Sequence, residues 1–174
     1  VIQSSFNLDV WEDLAVMEDR NAAGELMIGF PEEAVTGPGH PGRFFRARHF
    51  DGDAAALRAY LEARNAWLAS GIDSYSMEVN WQVSWFFWHG NVTVRNNRVV
   101  SAVPINTNFF EPPEPRTMDD WFAVLKRAID RKAERIVVTY NKTFGYPQSV
   151  FIDMSRMIAD EEQGWTIVNF IPNR

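Results

Sequence analysis

Alternation of apolar and polar side chains over residues 74–83 is the strongest constraint that this sequence places on its fold. Odd-numbered positions from Tyr75 to Val83 are apolar or aromatic, and even-numbered positions from Ser74 to Gln82 are polar. Successive side chains of a β-strand point to opposite faces of its sheet. A period of two that persists over ten residues therefore predicts a half-buried strand in an antiparallel sheet.

Two amphipathic helices are predicted around this strand. The first covers residues 54–69 and is ended by Gly71, whereas the second covers residues 117–131. Thr117 and Asp120 have the spacing of a capping box at the start of the second helix. Apolar residues recur every three or four positions, which indicates one buried stripe on each helix. The first stripe contains Leu57, Tyr60, Leu61, Trp67 and Leu68, and the second contains Met118, Trp121, Phe122, Leu125, Ala128 and Ile129.

Five further strand signals complete the predicted domain. Asn96 and Asn97 suit the positive φ values of a tight hairpin turn, and a strand is predicted on each side of them. Three more strands follow the second helix. The five segments are residues 91–95, 98–103, 135–140, 148–153 and 165–170. The order helix, three strands, helix, three strands predicts an α+β fold, with a mainly antiparallel sheet and both helices on one face.

The N-terminal part of the chain gives weaker signals. Residues 1–50 are interpreted as an N-terminal arm whose structure the sequence does not specify, and residues 51–174 as the α+β domain. Apolar residues between Leu8 and Met17 have helical spacing, whereas glycines and prolines between Pro31 and Gly42 form a loop. A further strand is predicted within Phe44–Phe50.

Composition excludes several classes of function. The chain has 17 Lys and Arg residues against 23 Asp and Glu residues, a net charge of −6, which argues against a nucleic-acid partner. It has no cysteine, which excludes thiol catalysis and cysteine-ligated zinc. No apolar run approaches the roughly 18–20 residues of a membrane-spanning helix. Nucleotide-binding and metalloprotease motifs are also missing, so we predict no cofactor, no metal site and no catalytic residue.

The C-terminal region carries a set of short motifs. They are Tyr140-Asn141, Gly145-Tyr146-Pro147, a strand ending in Asp153, and the acidic pair Asp160-Glu161. Together with the upstream Trp67, Gly71 and Tyr75, the set resembles an uncharacterised family of small exported bacterial proteins, many of them lipoproteins. That family is known only as a domain of unknown function. The resemblance covers roughly residues 63–171.

The resemblance implies export but no activity. The expected location is periplasmic, extracellular or lipid-anchored at the cell surface. A start at Val1 instead of Met is compatible with a removed signal peptide, and also with a trimmed chain. The family often carries a close cysteine pair after its first strand, where this chain has Trp81 to His89 without cysteine.

The motif residues suit structural roles. Gly145 and Pro147 fit a strand–turn–strand corner, and Tyr140 and Tyr146 can bury their rings while their hydroxyls stay hydrogen-bonded. Asp153 at a strand end can accept backbone N–H groups. An alternative is that the carboxylates converge for acid–base chemistry or calcium binding. The acidic set would then be Asp153, Asp160, Glu161 and Glu162.

An aromatic run from Trp81 to Trp88 is the main candidate for a binding surface. Continuous strand alternation places Trp85 and Phe87 on the face of Trp81, and Phe86 and Trp88 on the opposite face. If helices cover only one face, Phe86 and Trp88 are either covered by the N-terminal arm or exposed as a binding platform.

We therefore expect a non-enzymatic, exported binding domain. Its surface would contain Trp85, Phe86, Trp88, His89 and the crossover at residues 106–115, and its partner would be another envelope protein or a small apolar ligand. Two alternatives stay open. One is a hydrolase-like enzyme that uses His89 with Asp153 or Asp160, and the other is a structural protein of the cell envelope.

Overall fold

The structure, a computed structural model, describes residues 1–5, 9–16, 44–47, 49–109, 114–158 and 160–173. These ranges contain two helices and nine strands, paired antiparallel throughout, so the predicted α+β class with an antiparallel sheet is confirmed. The chain divides into two compact units, Val1–Leu61 and Glu62–Arg174, and the division falls within the first helix. The boundary between arm and domain at residue 50 stays a prediction.

The first unit contains a three-stranded antiparallel sheet in the order β2-β1-β3. Its strands are β1 (Ile2–Ser5), β2 (Glu12–Ala15) and β3 (Phe44–Ala47). Gln3 of β1 joins both neighbours: its Nε2 donates to Asp13 Oδ1 at 2.6 Å, and its Oε1 accepts from Arg46 Nε at 2.8 Å. The helical spacing predicted between Leu8 and Met17 is wrong for Glu12–Ala15, because these residues form β2 and pair with β1. The predicted glycine–proline loop lies outside the described residues.

The first helix, α1, spans Ala54–Ala69. Asp53 caps its N-terminus, since Asp53 Oδ1 accepts a hydrogen bond from the Ala56 backbone N–H at 2.9 Å. Past the other end, Gly71 has a φ of +63°, a conformation that glycine adopts at little cost.

The second unit contains a six-stranded sheet in the order β6-β5-β4-β9-β8-β7. The strands are β4 (Tyr75–Val83), β5 (Phe86–Arg95), β6 (Arg98–Thr107), β7 (Arg135–Tyr140), β8 (Pro147–Asp153) and β9 (Gln163–Pro172). Asn96 and Asn97 have φ values of 48° and 56°, which are suited to the predicted tight turn between β5 and β6. Strand β6 continues through Pro104 because it is an edge strand, where a missing N–H is tolerated.

The second helix, α2, spans Met118–Asp130 and begins with the predicted capping box. Thr117 Oγ1 accepts a hydrogen bond from Asp120 N at 3.2 Å, and Asp120 Oδ2 accepts one from Thr117 N at 2.8 Å. Every residue of the predicted apolar stripe of α2 is buried. These residues are Met118, Trp121, Phe122, Leu125, Ala128 and Ile129.

Aromatic rings connect the helices to the sheet of the second unit. Trp67 of α1 packs edge-on against Tyr75 at 5.7 Å between ring centroids. Trp121 of α2 stacks on Trp165 at 4.6 Å and meets Trp81 edge-on at 5.8 Å. Aromatic pairs of this kind contribute about 0.5–1.5 kcal/mol beyond the apolar area that they bury.

Candidate functional site

The turn between β4 and β5 decides which aromatic residues reach the surface. Strand β4 ends at Val83 and β5 begins at Phe86, so Ser84 and Trp85 form a two-residue turn. The two strands pair with Val83 opposite Phe86 and Trp81 opposite Trp88. Directly paired residues of an antiparallel sheet share one face. The prediction that Trp88 and Phe86 oppose Trp81 is therefore wrong, because the turn resets the alternation. The prediction that Phe87 shares the face of Trp81 is wrong for the same reason, since Phe87 pairs with Gln82.

One transverse row of the sheet is buried. Trp88, Trp81, Trp165 and Val150 are neighbours across β5, β4, β9 and β8, and all four side chains are buried. Trp88 is only 6% exposed, so it belongs to the core and offers no surface for binding. Phe86 is 47% exposed and stacks on Phe109 at 5.2 Å.

The next row faces the opposite side of the sheet. It consists of Phe87, Gln82, Gly164 and Phe151, which are neighbours across the same four strands. A third row on this side contains His89, Asn80 and Thr166. These two rows place exposed aromatic rings next to amide, hydroxyl and imidazole groups.

An open groove of about 770 Å³ lies on this side of the sheet. The absent side chain at Gly164 leaves space between Gln82 and Phe151, and a Cβ there would lie 2.8 Å from the Val150 carbonyl oxygen. Side chains at the rim and floor include Asn80, Gln82, Trp85, Phe87, His89, Phe151, Asp160, Glu162 and Thr166. The groove thus combines aromatic rings with a few polar and ionisable groups, which is typical of sites for small molecules.

Hydrogen bonds fix the aromatic end of the groove. Asn108 Oδ1 accepts from Phe87 N at 2.8 Å, and Asn108 Nδ2 donates to the Trp85 carbonyl oxygen at 2.9 Å. Ser84 N donates to the Glu162 carbonyl oxygen at 2.8 Å, which joins the β4–β5 turn to the loop before β9. Trp85 is 73% exposed at this end. Its backbone is therefore held in place while its ring is accessible.

A polar network adjoins the floor of the groove. His89 Nε2 lies 2.6 Å from Glu78 Oε1, and Asn169 Nδ2 donates to Glu78 Oε2 at 2.7 Å. Asn169 lies at a bulge of β9 with a φ of +51°, which turns its side chain towards β4. The hydrogen bonds from His89 and Asn169 lower the pKa of Glu78 from its ordinary value of 4.5. Because an ionised carboxylate only accepts hydrogen bonds, His89 Nε2 carries a proton in this pair.

Five of the predicted functional residues line the groove, and of these Trp88 is buried. They are Trp85, Trp88, His89, Asp160 and Glu162. The partner of His89 is Glu78, a residue that the sequence analysis did not select. Asp153 Oδ1 and Glu161 Oε1 are buried and have no hydrogen-bond partner among the described residues. Across the described ranges, no group of three or more acidic or histidine side chains is arranged to hold a metal ion.

The other motif residues make contacts within the fold. Gly145 has a φ of +80° and packs so closely on α1 that a Cβ would lie 2.4 Å from the Ala63 carbonyl oxygen. The Pro147 carbonyl oxygen accepts a hydrogen bond from Trp165 Nε1 at 3.1 Å. Tyr146 packs against Trp67 at 6.3 Å between ring centroids. Tyr140, the first residue of the motif set, ends β7.

Sequence reasoning missed most of the groove. Phe151 and Gln82 lie on different strands, and only the register across β4, β9 and β8 brings them together. Glu78 and Asn169 are separated by 91 positions in the chain. The one available signal was the polar face of β4, whose even-numbered residues include Glu78, Asn80 and Gln82.

Comparisons with known proteins identify a family and nothing narrower. Neither described helix is long and apolar enough to cross a membrane. Searches of curated proteins and of solved structures find no significant match to the chain. A family model described as a family of unknown function, DUF6174, matches residues 59–172. The match covers most of α1, all six strands of the second sheet and α2. The chain therefore belongs to the DUF6174 family of unknown function.

Proposed function

We propose that this protein is a binding domain that takes a small organic ligand in the groove between the β4–β5 turn and β8. The groove itself is the observation that carries this proposal, since its volume of about 770 Å³ lies within the usual range for ligand sites. Trp85, Phe87 and Phe151 are 73%, 36% and 37% exposed. Tryptophan and other aromatic residues are enriched where proteins bind partners.

We infer that both helices cover the opposite face of the sheet. Trp67 of α1 touches Tyr75, and Trp121 of α2 touches Trp81. Tyr75 and Trp81 are both odd-numbered residues of β4, so they share one face. Phe87 and Gln82 lie on the other face. A sheet covered on one face leaves its second face available to a ligand.

We also propose that the protein is exported, which rests on the family resemblance of its C-terminal motifs. A second candidate function is the hydrolase-like enzyme, with Glu78 instead of Asp153 or Asp160 as the partner of His89. The distance of 2.6 Å between His89 Nε2 and Glu78 Oε1 favours it. Such an enzyme would also need a nucleophile or an activated water beside His89. A purely structural role in the cell envelope would leave the groove unused.

Fluorescence of the neutral dye Nile red tests whether the groove accepts an organic ring. We expect the dye to bind the native protein, and Trp85→Ala combined with Phe87→Ala to reduce its affinity about tenfold or more. Removal of aromatic anchors commonly costs 2 kcal/mol or more. The matched control combines Val100→Ala with Val103→Ala, which removes two residues of β6 that are 59% and 56% exposed. Equal dye affinity of the two double variants would contradict the proposed function.

A further inference from the structure

The ionisable side chains of the groove give it a negative character. Asp160 and Glu162 line it, and His89 is the only basic residue among the described residues that do. Neither carboxylate forms an ion pair with another described residue. Two carboxylates without a basic partner repel an anionic ligand and attract a cation.

The aromatic side chains add a second preference for positive charge. The face of an indole or phenyl ring attracts a cation within about 6 Å of its centroid. Phe151 already interacts in this way with Arg135, whose guanidinium carbon lies 5.5 Å from the ring centroid. Trp85 has the most exposed ring in the groove, and tryptophan gives the strongest interaction of this type.

Two positive φ values and one backbone hydrogen bond constrain the segments that carry these groups. Ser84 and Asp160 have φ values of +53° and +75°, which non-glycine residues adopt only where the surroundings hold them. The Ser84 N–H to Glu162 carbonyl hydrogen bond joins the turn that carries Trp85 to the segment that carries the carboxylates. A site that is already ordered loses less conformational entropy on binding.

We propose that the ligand of the groove is an organic cation, an alkylammonium group with a polar substituent. This inference rests on the proposed function, because it names the class of ligand that binds in the same groove. The ammonium group would lie against Trp85 and Phe87 with Asp160 and Glu162 as counter-charges. The substituent would form hydrogen bonds with the amides of Asn80 or Gln82, or with the hydroxyl of Thr166. The negative charge and the aromatic rings both favour the binding of a cation.

A matched pair of probes tests the charge directly. Choline and 3,3-dimethyl-1-butanol have nearly the same shape and the same hydroxyl, but only choline is charged. In calorimetric titrations of the full chain, we expect choline to bind about tenfold or more tightly than the neutral alcohol. Added salt should weaken the binding of choline and leave that of the alcohol unchanged.

Variants without the carboxylate charges then show which residues cause the preference for choline over the neutral alcohol. Asp160→Asn combined with Glu162→Gln should remove most of the advantage of choline, whereas Glu62→Gln on the exposed surface of α1 should retain it. Equal affinities for the two probes in the native protein would overturn the cationic class, as would binding of the alcohol alone or of neither probe. The proposed function is still supported after these outcomes if the affinity for Nile red depends on Trp85 and Phe87. If the affinity for the dye does not depend on these two residues, the proposed function is contradicted whatever the result with choline.

Discussion

At the scale of single residues, Trp85 and Trp88 show how strongly one turn separates neighbouring side chains. Trp85 is 73% exposed in the turn, whereas Trp88 is 6% exposed opposite Trp81. We expect Trp88→Ala to lower the free energy of unfolding by about 3–5 kcal/mol, because it removes a large core ring. Trp85→Ala should change it by less than about 0.5 kcal/mol. Urea denaturation of both variants checks this, and similar losses would contradict the assigned register.

Glu78 provides a second prediction at this scale. Its pKa is lowered by His89 first and by Asn169 second, so its titration midpoint should lie below 4.5. The stability that this depressed pKa provides is present above pH 4.5, and it decreases as the pH falls through the folded-state value. A carboxyl ¹³C titration measures the midpoint. His89→Ala should raise it towards 4.5 more than Asn169→Ala does, and a native midpoint at or above 4.5 would refute the network.

At the scale of elements, the start of α2 depends on a reciprocal pair of hydrogen bonds between Thr117 and Asp120. Thr117→Ala removes the hydroxyl that accepts from Asp120 N, so we expect a loss of about 1 kcal/mol in the free energy of unfolding. Thr117→Ser keeps the hydroxyl and should lose clearly less. Chemical denaturation compares the two variants, and equal losses would show that the cap contributes little.

Two glycines separate the cost of a backbone conformation from the cost of a steric clash. Gly71 and Gly145 have φ values of +63° and +80°, but only a Cβ at Gly145 would meet α1, near Ala63 and Ala66. We expect Gly71→Ala to cost about 1 kcal/mol, and Gly145→Ala to cost at least about twice as much. Thermal denaturation measures the difference. Equal costs would mean that the corner does not pack against the helix as described.

These elements also show what the sequence could predict. The signals for α2 are local, since its cap and its apolar stripe lie within a few turns of one helix. The β4–β5 hairpin carries no such signal, because Ser84 and Trp85 lack the glycine or asparagine that marks a two-residue turn. Because the sequence did not reveal this turn, the pairing register of β4 and β5 was unknown, and Trp88 was assigned to the wrong face of the sheet. The β5–β6 turn was recognisable from the sequence, because Asn96 and Asn97 are residues that tolerate the positive φ values of a two-residue turn.

At the scale of the whole molecule, the net charge of −6 has a local counterpart in the groove. The net charge alone argued against nucleic acid as a partner, but it did not show where in the protein a binding site lies. Pairing across four strands places Phe87 and Phe151 in one row, with the carboxylates of Asp160 and Glu162 along the same groove. The candidate site is therefore a property of the sheet, and no short motif contains it.

The central claim is that the sheet face opposite Trp81 binds the ligand. The most direct measurement is a chemical-shift titration of ¹⁵N-labelled protein with choline, 3,3-dimethyl-1-butanol and glucose. We expect choline to shift the amide signals of Phe87, Gly164 and Thr166 in the groove, and to leave that of Leu125 on α2 unchanged. Groove signals that do not respond to any of the three probes, or the largest shifts on α2, would contradict the account.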